Sequence, residues 1–224
     1  MASLVRCPSE RCSAVFEVQE IRLGRNIYCL ECGTRMTAKA VEVDPRLESL
    51  PASRDGSSGD GVARLPFAVV LDNIRSLWNV GSMFRTADAC AVERLFLTGI
   101  TGTPPAPRLT KTALGAEESV QWDYERDPHC ALDTLHAEGY ELVALERSER
   151  AEPIDTFKWP TRVGLVVGNE VSGVAPSLLE KCQHVVGIPM SGSKESLNVA
   201  VAFGIAAHRV ASSLRKSSRD VTFR

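Results

Sequence analysis

Apolar residues fall in short blocks along most of the chain, and the spacing within each block assigns an element. Residues 67–71, FAVVL, are an uninterrupted apolar run of strand length. From 79 to 91 the positions Val80, Met83, Phe84, Ala87 and Ala91 recur at i, i+3, i+4, i+7 and i+11, which predicts a helix with one buried face. Asn79 stands where it can cap that helix. Residues 95–98 predict a strand, and TGTPPAP at 101–107 is a turn-rich break. A short helix over 110–118 and a short strand over 120–124 follow. Residues 131–137 are helical by pattern and stopped by Gly139. Strands are predicted over 140–145, 163–167 and 185–189, with a proline-initiated helix over 176–182 between the last two. A long helix, apolar on most sides, runs from Ser196, its expected N-cap, to about Leu214.

Strands alternating with helices predict an α/β domain with a mostly parallel sheet. A terminal helix with so little polar face needs cover on most sides, which in a domain of this size points to a second subunit. The stretch PASRDGSSGDG at 51–61 has no apolar residue larger than alanine and reads as a flexible connection. The organisation expected is a small module over 1–40, a linker over 41–64 and the α/β domain over 65–224.

Composition narrows the classes. The 224 residues are 44% hydrophobic and 24% charged, with a formal net charge of −2. Nucleic acid would therefore be met by a local patch rather than by bulk charge. No apolar stretch approaches the roughly 18 residues that span a membrane, and the N-terminus has no secretory apolar core. The expectation is a cytoplasmic protein with no membrane contact and with reduced thiols.

Four of the seven cysteines lie in the first 40 residues, as Cys7-x4-Cys12, sixteen residues, then Cys29-x2-Cys32. Two close pairs can surround one tetrahedral zinc ion, a useful staple for a module too small to bury much of a core. The intervening FEVQEIRLGRNIYC alternates as a hairpin turning near Gly24. The module resembles a zinc ribbon, its first pair spaced by four residues where two is commoner. Its arginines, among them Arg6, Arg22 and Arg35, suit either an RNA-touching face or an ordinary solvated surface. Cys90, Cys130 and Cys182 lack partner spacing and read as core thiols in helices.

Three stretches of the α/β domain carry candidate chemistry. In LDNIRSLWNVGSMFRTADAC, Gly81 and Arg85 sit one turn apart, so the glycine leaves room for a ligand beside the arginine. Asp88, three residues on, is placed to pair with Arg85 as an ordinary surface ion pair. In LVVGNEVSG a strand runs into Gly168, Asn169 and Glu170, at the end of a parallel strand where ligands collect. In IPMSGSKESLNVAVAFG a strand gives way to a Ser/Gly loop and a helix whose free amides favour an anionic group. SGSKES fails as a phosphate loop, since Gly192 stands alone and Glu195 interrupts the Lys-Ser order, and no G-x-G-x-x-G follows a strand.

In this order, Asn-x-Gly-x-x-x-Arg, Gly-Asn-Glu and Ile-Pro-Met…Ser-Leu-Asn resemble the three motifs of the SpoU/TrmH group of SPOUT RNA methyltransferases, over about residues 65–215. The resemblance implies an α/β domain with a C-terminal trefoil knot, a homodimer, and S-adenosylmethionine as methyl donor to a ribose 2′-hydroxyl in tRNA or rRNA. It implies that Arg85 orients the nucleotide and stabilises charge, with Asn79, Glu170, Ser196 and Asn198 around it. It also implies that Leu145, Gly168, Ile188 and Leu197 line the cofactor pocket, Gly168 being small so that the cofactor lies against its backbone. Two other readings stay open: a non-catalytic RNA-binding protein with a degenerate knot domain, and a small-molecule enzyme carrying a ribbon that binds no RNA.

Overall fold

A computed structural model of the chain describes residues 63–218 throughout and, before them, five strands: β1 (Ala2–Arg6), β2 (Val15–Gln19), β3 (Asn26–Tyr28), β4 (Arg35–Thr37) and β5 (Ser53–Arg54). From residue 65 the chain runs β6 (Leu65–Asp72), α1 (Leu77–Ala89), β7 (Val92–Thr98), α2 (Pro107–Ala113), α3 (Ala116–Ser119), β8 (Gln121–Glu125), α4 (Pro128–Ala137) and β9 (Glu141–Leu145). It continues through β10 (Glu152–Pro153), β11 (Val163–Val167), α5 (Pro176–Leu179), β12 (His184–Gly187) and α6 (Val199–Ser218).

Eight strands form one sheet in the order β10-β12-β9-β11-β6-β7-β8-β5. Every pairing from β10 to β8 is parallel. Only β5, a two-residue strand inside the stretch that reads as linker, joins antiparallel, at the edge. The apolar run in β6 follows from its place at the centre. Phe67, Val69 and Leu71 point to one face and pack with Val80, Met83 and Phe84 of α1 and Phe203 and Val210 of α6. Ala68 and Val70 point to the other and pack with Leu132 and Leu135 of α4 and Leu178 of α5. Phe67, Phe84 and Phe203 are fully buried, each worth about 1.5–3 kcal/mol.

Several boundaries differ from the sequence expectation for local reasons. The helix expected over 110–118 is two helices, because Leu114 and Gly115 adopt left-handed backbone at φ 52° and 90°. The helix expected over 176–182 ends at Leu179. Helix α1 starts two residues early, capped by Ser76, whose side chain accepts from the Asn79 N–H, so Asn79 is not the cap. Helix α6 starts at Val199, and Asn198 rather than Ser196 caps it, accepting from the Ala200 N–H at 2.9 Å. The turn expected near Gly24 lies outside the described residues; among them, β2 pairs with β1, and β3 with β4. Alternation identifies a strand but carries no information about its partner. No helix among the described residues is long and apolar enough to cross a membrane.

Candidate active site

Beyond the carboxyl ends of β9 and β11 lies a cavity of about 390 Å³. Its walls include Leu145 at the end of β9 and Glu146 after it, Gly168 and Glu170 after β11, Ile188 after β12, and Ser196 and Leu197 before α6. All four positions expected to line a cofactor pocket (Leu145, Gly168, Ile188 and Leu197) thus meet at one cavity.

The Glu170 carboxylate is held by three donors. It accepts from the backbone N–H of Arg75 at 3.0 Å and of Ser76 at 3.2 Å, and from Asn79 Nδ2 at 3.0 Å. These groups are the N-terminal end of α1, where a negative charge also meets the favourable end of the helix dipole. A carboxylate only accepts, which fixes the Asn79 amide with its nitrogen toward Glu170. Asn79 Oδ1 is left to accept from Asn198 Nδ2 at 3.2 Å. A chain of polar contacts therefore joins Asn198, Asn79 and Glu170, three residues from three separate stretches.

The turn that presents Glu170 is built by its neighbours. Asn169 Nδ2 donates to the Asn73 carbonyl at 2.7 Å, and Asn169 Oδ1 accepts from the N–H of Val171 and of Ser172. Asn169 and Gly173 exchange backbone hydrogen bonds across it. A Cβ on Gly168 would lie 2.3 Å from the Gly173 carbonyl oxygen. The turn itself therefore requires a glycine at 168, which also lines the cavity. Gly173 has φ 69°, and a Cβ there would lie 2.2 Å from Glu146 Oε2. That same oxygen accepts from the Val174 N–H at 2.8 Å.

Sequence reasoning missed Glu146 and the pair Asp72–Asn73. Asp72 is buried, and its Oδ1 accepts from Thr98 Oγ1 and from Asn73 Nδ2, both at 2.9 Å. Burial pushes its carboxyl above the usual range, against the lowering effect of those hydrogen bonds. Asn73 sits at φ 55°, and its Oδ1 accepts from the Ile100 N–H. An Asp-Asn pair closing an apolar strand is the available sequence signal, because asparagine tolerates left-handed backbone.

Arg85 is exposed and does not line this cavity. It borders a second, open one of about 510 Å³ with Asp88, Leu114 and Ser119. The expected partner is taken: Asp88 pairs with Arg64 at 3.2 Å and accepts from Ser119 Oγ at 2.8 Å. Nor does Gly81 make room for a ligand. A Cβ there would lie 2.4 Å from the Leu109 carbonyl oxygen, so the glycine lets α2 pack against α1. Among the described residues no cluster of three or more His, Cys, Asp or Glu is arranged to hold a metal. Cys7, Cys12, Cys29 and Cys32 lie outside the described residues. Cys90 is buried and Cys182 partly so, its thiol pushed up to about 12 by burial, whereas Cys130 is exposed on α4 and is not a core thiol.

Known proteins share this architecture. Residues 66–208 match the SpoU rRNA Methylase family. An uncharacterised tRNA/rRNA methyltransferase of Synechocystis sp. is 30% identical over 75% of this chain and 60% of its own. The 23S rRNA (guanosine-2′-O-)-methyltransferase RlmB of Salmonella typhi is 32% identical over 62% of this chain and 57% of its own. The chain thus spans about 60% of the length of these curated relatives. Among solved structures, a TrmH/SpoU tRNA modifying enzyme of A. aeolicus superposes with a TM-score of 0.63 at 27% identity, covering 70% of this chain and 79% of that one. The SpoU methyltransferase AviRb of Streptomyces viridochromogenes, in complex with AdoMet, gives 0.62 at 25% identity over 70% and 63%. With the family match covering residues 66–208 and the parallel sheet matching these structures, the chain belongs to the SpoU methylase family.

Proposed function

We propose that the protein transfers a methyl group from S-adenosylmethionine to a ribose 2′-hydroxyl of tRNA or rRNA. The observation that carries this reading is the Asn198–Asn79–Glu170 chain, whose Glu170 lines the cavity after β9, β11 and β12. The cavity suits such a cofactor. Its apolar wall of Leu145, Ile188 and Leu197 fits an adenine, and Glu146, Glu170 and Glu195 outnumber Arg147, which favours a cationic ligand. When bound, S-adenosylmethionine supplies a methyl already activated on a sulfonium, so the chain has to position and shield rather than create a strong nucleophile.

Each residue has a role in that reading. Leu145, Gly168, Ile188 and Leu197 hold the cofactor, the glycine through its turn. Glu170 is a positioning residue, since its oxygens are committed to the end of α1 and to Asn79. Asn79, Asn198 and Ser196 orient the nucleotide. Arg85, free of hydrogen bonds and ion pairs among the described residues, takes the adjoining phosphate. The family also implies a trefoil threading of the segments that line the cavity, and a cytoplasmic setting.

Two further parts complete the proposal. A zinc ion is held by Cys7 and Cys12, between β1 and β2 in sequence, and by Cys29 and Cys32, between β3 and β4. Two antiparallel pairs, each with a cysteine pair in its connection, support a ribbon over 1–40, followed by the linker and the methyltransferase domain. The second part is a homodimer through the exposed stripe Leu197, Val201 and Ile205.

Incubating the protein with tritiated S-adenosylmethionine and bulk RNA is expected to label RNA in the ribose, with the label surviving base removal. Arg85→Ala and Asn79→Ala are expected to abolish it. Cofactor binding with no label in any RNA would favour the non-catalytic reading instead. Metal analysis is expected to find about one zinc per chain.

A further inference from the structure

The outward face of α1 carries a feature that neither the core nor the cavity uses. Trp78, Ser82, Arg85 and Ala89 stand at i, i+4, i+7 and i+11, opposite the buried Val80, Met83, Phe84 and Ala87. Trp78 is 46% exposed, unlike Trp122, which is buried in the sheet core. It directly precedes Asn79, the middle link of the chain to Glu170. Arg75 and Arg85, before and after it, are both exposed, and neither side chain has a partner among the described residues. Seven residues of helix separate Trp78 from Arg85, about 10 Å along the axis, within the reach of one nucleotide and its next phosphate.

We propose that Trp78 is a stacking platform for an unpaired base beside the reacting ribose, which makes the substrate a single-stranded or loop segment rather than a duplex. The inference rests on the proposed RNA methylation and names its substrate class. Only an unstacked base offers a free face to an indole, and stacking accepts any base. The charges on this face choose the occupant. Arg75 and Arg85 have no side-chain partner among the described residues, whereas Asp88, which borders the open cavity with Arg85, is already paired with Arg64. A second copy packed here about a two-fold axis would bring like charges together, whereas a phosphodiester backbone neutralises them. One tryptophan is also far less apolar surface than the roughly 800 Å² per partner of a stable interface.

The test uses the full chain, a fluorescein-labelled eight-nucleotide single-stranded RNA, and the same strand annealed to its complement. Native protein is expected to bind the single strand more tightly than the duplex. Trp78→Ala is expected to weaken single-strand binding about tenfold at every salt concentration, with the salt slope unchanged, and Trp78→Phe to restore most of it. Duplex binding and sedimentation mass stay as in the native protein. Unchanged single-strand affinity in Trp78→Ala, or a native protein with no preference for the single strand, overturns the inference. So does a fall in sedimentation mass, which would place Trp78 in a protein interface. Label transfer into bulk RNA separates the two readings. Transfer that is indifferent to Trp78 sinks this inference alone, whereas Trp78-dependent binding without transfer sinks the reaction and leaves the platform standing.

Discussion

Glu170 and Asp72 are two carboxylates at the ends of neighbouring parallel strands, and their surroundings give them opposite tasks. Glu170 meets three donors at a helix N-terminus and serves as an anchor. Replacing one oxygen by an amide nitrogen sets a donor against donors. Glu170→Gln is therefore expected to lose about 1–2 kcal/mol of stability, read from the denaturant midpoint at constant slope, and to lose methyl transfer further through the freed Asn79. Asp72 is buried, and burial raises its pKa above 3.8 against the lowering effects of the Thr98 and Asn73 hydrogen bonds and of His129. The folded state then binds the proton more tightly than the unfolded chain. Stability should fall as pH rises from about 3.8 through the raised value and level off above it. Asp72→Asn keeps an acceptor for Thr98 and Asn73, so it should remove that component of the slope in pH-dependent thermal unfolding. An unchanged slope would mean that the unfolded chain perturbs Asp72 equally. The residue types at the site were legible in order and spacing, but their duties were not. Asn79 reads as a cap and is a bridge between Glu170 and Asn198. Such duties depend on partners some 90 to 120 positions away, which no local pattern encodes.

At the scale of elements, period and composition located nearly every strand and helix after residue 65, because β6 and β11 are buried on both faces and α1 on one. What failed were the junctions. Leu114 in left-handed backbone breaks a helix that its own propensity would continue, at the end of a segment, α2, that approaches α1 closely at Gly81. That approach makes a specific prediction. A methyl at Gly81 would lie 2.4 Å from the Leu109 carbonyl and 2.8 Å from Thr112 Cβ, atoms of backbone and stem that cannot swing aside. Gly81→Ala should cost about 1–3 kcal/mol despite alanine's better helix propensity. Among the described residues, a Cβ on Gly204 of α6 would meet nothing within 4 Å beyond its own stretch of helix, so Gly204→Ala should leave the monomer's stability unchanged or raise it by up to about 1 kcal/mol. The two substitutions are chemically identical, so opposite signs in chemical denaturation would trace to packing alone. Equal effects would mean that α1 and α2 can part cheaply.

For the whole molecule, the excess of apolar residues on the last helix is only partly spent on the core. Phe203, Ala206, Ala207, Val210 and Ala211 are buried against the sheet and α1, yet Val201 and Ile205 remain 51% and 37% exposed, in line with Leu197 at 37%. Spacing of four residues puts Val201 and Ile205 on one side of α6, and Leu197, just before its start, lines the cavity. A contiguous apolar stripe beside a ligand site is a candidate interface, and it lacks the paired arginines that disqualify the outward face of α1 for self-contact. A second copy seated there would also shield the cavity mouth at Leu197 from water. Native protein is expected to sediment as a dimer at micromolar concentration, with a melting temperature that rises with protein concentration. Val201→Glu combined with Ile205→Glu should yield a folded monomer whose melting temperature is independent of concentration and whose affinity for S-adenosylmethionine is lower. The substituted positions point away from the core, so loss of fold is not the expected outcome, and unchanged circular dichroism checks this. A native monomer would leave the stripe to some other cover. A dimer that persists in the double variant would move the interface elsewhere on the fold.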